Sequence, residues 1–319
     1  MSQIVNDRPP VTYHKKTFFQ RLALDFRQNK MVYLMWLPVL AFYLIFHYAP
    51  MGGLVIAFQN YKPFKGIAKS KFVGLEHFQE FLTGTYAWRT IRNTLVISLL
   101  QILIGFPMPI IFALLMNEVR CNPYKRVVQT VSYMPHFISL VVMCGMIVLF
   151  LSPSSGVIPK LLGYIGVQTG DLMGKASAFS SIYVWTEAWQ HVGWDSIMYI
   201  AALSAVDPQL YEAAVVDGAN KWQKMRSIDI PLLMPTAVVL FILRAGSVMS
   251  VGFEKVYLLQ NDLNISASEI ISTYIYKMGL KSNQYSYSAA IGLFNNVVNF
   301  ILLLSVNFIA GKMGDTSLF

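Results

Sequence analysis

One stretch between two apolar runs reads Asp207-Pro-Gln-Leu-Tyr-Glu-Ala-Ala-Val-Val-Asp-Gly-Ala-Asn-Lys-Trp-Gln-Lys-Met-Arg-Ser-Ile-Asp-Ile-Pro231. Its local chemistry predicts a helix, a glycine corner, a second helix and a proline. Asp207 has the short side-chain acceptor that suits an N-cap, and Pro208 suits the first helical position, where no N–H is needed. Gln209 to Asp217 then form a short helix. Gly218 suits the C-terminal position that needs a positive φ. Asn220 caps a second helix, with Gln223 three residues on to complete a capping box. Pro231 opens the apolar run that follows. Ala213 and Ala214 give the first helix a small-residue face that lets another surface come close.

Outward from this loop the chain is dominated by apolar runs. A bilayer core about 30 Å thick needs about 20 mainly apolar residues to cross it as helix. Six runs qualify: about Met31 to Phe58, Thr94 to Met116, Val127 to Leu151, Phe179 to Ala205, Leu232 to Val251 and Ala289 to Ala310. The fourth is the least apolar. Prolines inside several of them fit membrane helices, where neighbours re-satisfy freed carbonyls. The first run is too long for a signal-peptide core and has no small-residue cleavage site after it, so it is expected to remain as a helix. Composition agrees. Of 319 residues only 13% are charged and 55% are hydrophobic, against about 25% charged in an ordinary soluble domain. That excludes a typical cytosolic enzyme and a disordered chain. The net charge of +9 fits basic residues held at anionic headgroups, with no call for nucleic acid. Cys121 and Cys144 belong to no CxxC or Cys/His cluster, so neither a disulfide framework nor a metal site is expected.

Lysine and arginine counts orient the chain. With the N-terminus inside, thirteen lie on the inner side: Arg8, Lys15, Lys16, Arg21, Arg27, Lys30, Arg120, Lys125, Arg126, Lys221, Lys224, Arg226 and Lys312. Eleven lie outside and Arg244 falls within a run. The expectation is an all-α integral membrane protein with six crossings, N-in and C-in. It divides into a basic cytoplasmic arm (1–30), a membrane domain (31–311) with an inner loop at 206–231, and a cytoplasmic tail (312–319).

The 207–231 segment resembles the EAA loop of permease subunits in binding-protein-dependent ABC importers. That pattern is Glu-Ala-Ala, three residues, Gly, nine residues, Ile, one residue, Leu-Pro. Here it reads Glu212-Ala213-Ala214, Gly218, Ile228, Ile230-Pro231, with one conservative departure at Ile230. Asp217 and Ala219 flank the glycine as in the sugar-importer branch, and Pro235 also matches. Phe72-Val-Gly-Leu-Glu-His-Phe78 is similar to the family's first outer loop. Asn93-Thr-Leu-Val-Ile-Ser98 is similar to the start of its transport core. Phe58-Gln-Asn-Tyr-Lys-Pro-Phe-Lys-Gly66 is similar to the complex-carbohydrate branch. The resemblance implies a type I importer permease fold, in a multi-pass protein of the bacterial cytoplasmic membrane. It implies an oligosaccharide brought by an extracellular solute-binding protein, a homologous second permease, and two ATP-binding subunits that use ATP and Mg. This chain would bind no cofactor of its own. Glu212, Ala213, Ala214, Asp217, Gly218, Ala219, Ile228 and Pro231 would couple transport to ATP hydrolysis. The rivals are an ABC permease for another solute, such as a polyol phosphate or peptide, and a stand-alone carrier or membrane enzyme.

Nothing marks a catalytic site. Gly170-Asp-Leu-Met-Gly174-Lys175-Ala176 is one residue short of a P-loop and lacks its hydroxyl residue. HExxH, GxSxG and GxGxxG do not occur, and the five histidines are scattered. Ionisable groups within crossing helices default to paired or functional roles. Glu187 and Arg244 are expected to meet in depth, as a polar path or as a structural ion pair. Trp185 and Trp189 share a helical face. With Gln190 and Asn295 or Asn299 they offer stacking and hydrogen bonds to a sugar, or else aromatic packing at the interface.

Overall fold

A computed structural model describes Asp25, Phe26 and residues 28–313. Most of the expected basic arm and nearly all of the tail lie outside the described residues. The described residues divide into two compact units, one up to Val55 and one from Ile56 on.

In the first unit, helix α1 (Lys30–Tyr43) continues through a widened π turn at Leu44–Tyr48 into Ala49–Met51. A 3₁₀ turn, Gly52–Phe58, leads on. The second unit opens with a minimal antiparallel pair, β1 (Gln59–Asn60) and β2 (Lys71–Phe72), in the register Gln59↔Phe72 and Asn60↔Lys71. Helices α2 (Glu76–Thr83), α3 (Thr85–Leu100) and α4 (Pro107–Glu118) follow, the last two joined by a π turn at Gln101–Gly105. Then come α5 (Asn122–Tyr133), α6 (Leu140–Phe150), α7 (Val157–Tyr164) and the 29-residue α8 (Ala176–Ser204). The loop helices are α9 (Pro208–Val216) and α10 (Lys221–Lys224), and α11 (Ile230–Ala245) rises from them. Short helices α12 (Phe253–Leu259), α13 (Ile265–Ser268) and α14 (Ile271–Tyr276) precede the long α15 (Tyr285–Met313).

Three of the π turns have one cause. Proline has no N–H and its ring presses on the carbonyl four residues back. Pro50, Pro107 and Pro231 each lie two residues beyond a π turn, and the residue just before each proline bonds five residues back: Ala49 to Leu44, Phe106 to Gln101 and Ile230 to Met225. The widened turn makes room for the ring without breaking the helix. Two expectations change as a result. The second run is one continuous helix from Thr85 to Glu118, and the fifth begins at Lys221 instead of at Pro231.

Among the described residues, four helices are long and apolar enough to cross a membrane: Lys30–Phe58, Thr85–Glu118, Lys221–Ala245 and Tyr285–Lys312. The expected straight crossing from Val127 to Leu151 is instead broken. Pro135 sits in a 3₁₀ turn, Ile138 and Ser139 are extended, and the chain bends by 100° between α5 and α6. Helix α8 is about 43 Å long at 1.5 Å per residue, enough to cross, yet it is too polar to count by composition. It is also the central packing element, lying against α3, α4, α5, α11 and α13. Phe179, Tyr183 and Val184 join Ile97, Met143, Val256 and Ile270 in the largest core. A side chain at Gly193 would run into the Ser132 carbonyl, so α5 and α8 touch backbone to backbone there.

The segment between α11 and α15 is pinned onto α3. Asn93 donates to the carbonyls of Ser266 (2.9 Å) and Glu269 (3.0 Å), and the Ile271 N–H donates to Thr94 Oγ1 (3.1 Å). Glu269 is buried and paired with both Arg89 and Lys277.

Candidate functional site

The 207–231 loop folds by its local rules. Asp207 Oδ1 accepts from the Gln209 N–H at 2.9 Å. Helix α9 ends in a Schellman turn: the Gly218 N–H bonds Val215 O (3.1 Å), the Ala219 N–H bonds Ala214 O (2.8 Å), and Gly218 has φ +75°. This is the left-handed position that glycine adopts without Cβ strain. Asn220 and Gln223 form the reciprocal capping box at 2.8 and 2.9 Å. Helix α10 then runs through the π turn Met225–Asp229 into α11, so there is no separate second helix. Glu212, Ala213, Asp217, Gly218 and Pro231 are exposed, and Ala214, Ala219 and Ile228 are half-buried.

Beneath the loop lies a cluster that the motif does not include. Tyr211 Oη donates to Asp229 Oδ1 at 2.5 Å, and Asn117 at the end of α4 reaches both at 3.4 Å. Asp229 is fully buried. Burial, and then the bond to Asp229, push the Tyr211 hydroxyl up to about 12, so it stays a donor at neutral pH. Lys221 also pairs with Glu118 at 3.5 Å. The available signal was Asp229 itself, a carboxylate set between Ile228 and Ile230 at the foot of an apolar helix.

The second site is a polar recess between α8 and α11. Glu187, His191 and Asp195 recur every four residues and share one face of α8. With Gln101, Gly105 and Arg244 they line a cavity of about 230 Å³. A neighbouring cavity of about 210 Å³ shares Gln101, Glu187 and Arg244 and adds Ser98, Tyr183 and Ser247. Arg244 does have a carboxylate beside it, but that carboxylate is Asp195, with Nη1 to Oδ2 at 3.9 Å. The expected Arg244–Glu187 pair is not formed. Glu187 instead accepts from Lys255 Nζ at 2.8 Å and lies 3.5 Å from His191 Nε2. The reason is the burial of Lys255, which α12 carries in until only 2% of it is exposed. A buried ammonium without a counter-charge is strongly unfavourable. His136 Nδ1 meets His191 Nδ1 at 3.1 Å and stacks on Trp194 at 4.3 Å.

The other expected path residues are not gathered here. Trp185 and Trp189 are two residues out of step with Glu187, about 200° around the helix. They line a separate apolar groove of about 450 Å³ with Met143, Met146, Ile147 and Phe150. Gln190 is buried, with no partner for Oε1 among the described residues, and the same holds for Asn295 Oδ1. Asn299 accepts from the Met249 N–H and donates to Ser250 Oγ, both at 2.9 Å. It ties α15 to the turn after α11. Among the described residues no His, Cys, Asp or Glu group is arranged to hold a metal ion.

Several apolar helices, a central helix with a polar face, and a capped loop at the foot of a neighbouring helix define a multi-pass membrane transport component. The chain belongs to the family of binding-protein-dependent transport system inner membrane components, whose pattern matches residues 105–315. Protein LplB of Bacillus subtilis (strain 168) is 42% identical over 293 residues, 92% of either chain. The polygalacturonan/rhamnogalacturonan transport system permease protein YteP of the same organism is 42% identical over 305 residues, 96% of this chain and 95% of that one. Among solved structures, the bacterial alginate ABC transporter in complex with an alginate pentasaccharide-bound periplasmic protein contains a chain 39% identical to this one. It superposes with a TM-score of 0.87 over 93% of this chain and all (100%) of that one. The family is one of transport components, so this chain is a membrane transport subunit and not an enzyme.

Proposed function

We propose that this chain is the permease subunit of an ATP-driven importer and forms half of the translocation path for an oligosaccharide. An extracellular binding protein delivers the sugar, a homologous second permease completes the path, and two ATP-binding subunits engage the 206–231 loop and hydrolyse ATP with Mg. Residues 31–311 cross the membrane six times with both ends inside, α8 and the bent α5–α6 pair supplying two of the crossings. Residues 1–30 and 312–319 are the inner arm and tail. The sugar assignment is supported by the likeness to YteP, a polygalacturonan/rhamnogalacturonan permease, and to the alginate importer.

The observation that carries this reading is α11. It starts in the loop that holds Glu212 and Gly218 and ends with Arg244 in the polar recess. The 13 helical steps from Pro231 to Arg244 span about 20 Å of one helix, so a displacement of the loop reaches the recess through a single rod. Gln101, Glu187, His191, Asp195 and Arg244 offer the mixture of donors and acceptors that sugar hydroxyls need. Trp185 and Trp189 face an apolar groove, which suits packing better than a sugar.

The test is co-purification of the tagged chain from its native membrane. An ATP-binding subunit and a second permease should arrive with it at stoichiometric levels. Recovery of the chain without either overturns the reading.

A further inference from the structure

We infer that Tyr211 and Asp229, braced by Asn117, form the joint that transmits movement of the loop to the core helices. The inference rests on the proposed role of the loop in engaging ATP-binding subunits.

The EAA-type residues themselves do not provide this connection. Glu212, Ala213, Asp217 and Gly218 are exposed, which suits contact with a partner but leaves their helix to be fixed by something else. Helix α9 has only nine residues and ends at a glycine. An isolated helix that short is marginal in water. It needs tertiary anchors if a push on its outer face is to move anything.

The Tyr211 hydroxyl supplies one. It is adjacent to Glu212 in sequence, so it leaves the helix about 100° away from that partner-facing residue. It bonds the carboxylate of Asp229 at 2.5 Å. Asp229 is the last residue of the π turn that feeds α11, and Asn117, at the end of α4, contacts both groups at 3.4 Å. Three elements therefore converge on one carboxylate: the loop helix, the helix that carries Arg244, and the helix that follows Gly105 in the recess wall. The Lys221–Glu118 pair at 3.5 Å ties α4 a second time to the helix that leads through the π turn into α11.

The chemistry also suits a joint better than a passive brace. The Tyr211–Asp229 bond is short, at 2.5 Å, and holds its two elements in one mutual orientation. Asp229 Oδ2 is buried with no hydrogen-bond partner among the described residues. A second acceptor position beside the first lets the hydroxyl rotate from one oxygen to the other without being released. The π turn beneath it, with its wider spacing ahead of Pro231, is the kind of helix defect found at functional bends.

The experiment uses the whole importer, reconstituted in proteoliposomes with its binding protein loaded with oligosaccharide. The ratio of stimulated to basal ATP hydrolysis is measured per assembled complex. Tyr211→Phe removes only the hydroxyl, and Asp229→Asn keeps an acceptor for it. The expected result is a fall of about ten-fold in the ratio for Tyr211→Phe, with Asp229→Asn retaining at least half of the native ratio and the ATP-binding subunits recovered in full for both. A native ratio in Tyr211→Phe overturns the inference. So does a loss that merely tracks poorer recovery of the ATP-binding subunits, since that marks a structural brace. Glu212→Lys in parallel separates this question from the wider one. If it too leaves the ratio unchanged, the loop's engagement of the ATP-binding subunits fails, and the joint fails with it.

Discussion

Arg244 shows what a half-buried charge within an apolar helix requires. An arginine left unpaired at mid-membrane costs roughly 3 kcal/mol on insertion scales, and Asp195 at 3.9 Å is the carboxylate beside it. Asp195→Asn and Arg244→Gln are each expected to lower uptake, and the exchanged pair Asp195→Arg with Arg244→Asp to recover part of it. Native uptake in both single variants removes the pair from the account. Gly218 is the second decisive residue. At φ +75° an alanine costs roughly 1 kcal/mol through its Cβ, so Gly218→Ala should weaken protection of the α9 amides in hydrogen exchange while leaving α15 unchanged. Residue-level features of this kind were legible in the sequence when their causes are local. The Asp207 cap, the Asn220–Gln223 box and the Gly218 corner each depend on four or five neighbouring residues. The partner of Glu187 was not legible, because Lys255 comes from a segment outside every apolar run and nothing local signals that α12 buries it.

At the scale of elements, periodicity both informs and misleads. Trp185 and Trp189 share a face, as their spacing of four requires. The offset of two from Glu187 places them on the opposite side of α8, so one helix presents a polar recess one way and an apolar groove the other. Hence Trp185→Ala with Trp189→Ala should leave uptake close to native in matched amounts of assembled complex. Glu187→Gln, which unpairs the buried Lys255, should lower it several-fold. Reduced uptake in the tryptophan double variant with normal assembly returns those rings to the path. The prolines were visible in the sequence, but not their consequence. Pro50, Pro107 and Pro231 are accommodated by π turns and the helix continues. The 3₁₀ turn that holds Pro135 runs out into two extended residues, Ile138 and Ser139, and the chain turns through 100°. The difference lies at Ile138 and Ser139, whose extended backbone no local propensity dictates.

For the whole molecule, low charge and long apolar runs were enough to read a multi-pass membrane protein, and the spacing of the 207–231 loop was enough to read its family. Orientation follows from the proposal and can be tested with native cysteines. Cys121 is exposed, in the connection between α4 and α5, and Cys144 is buried in α6. A membrane-impermeant maleimide should leave Cys121 unlabelled in intact cells and label it after permeabilisation. Labelling before permeabilisation reverses the N-in orientation. The central claim is that the 207–231 loop couples ATP hydrolysis in a partner subunit to the arrival of a loaded binding protein. Its most direct measurement is ATP hydrolysis by the reconstituted importer with and without oligosaccharide-loaded binding protein, for the native chain, Gly218→Arg and Glu212→Lys. The account predicts clear stimulation in the native complex and its loss in both variants, with the ATP-binding subunits' own capacity for hydrolysis retained. Stimulation at the native level in both variants would contradict it.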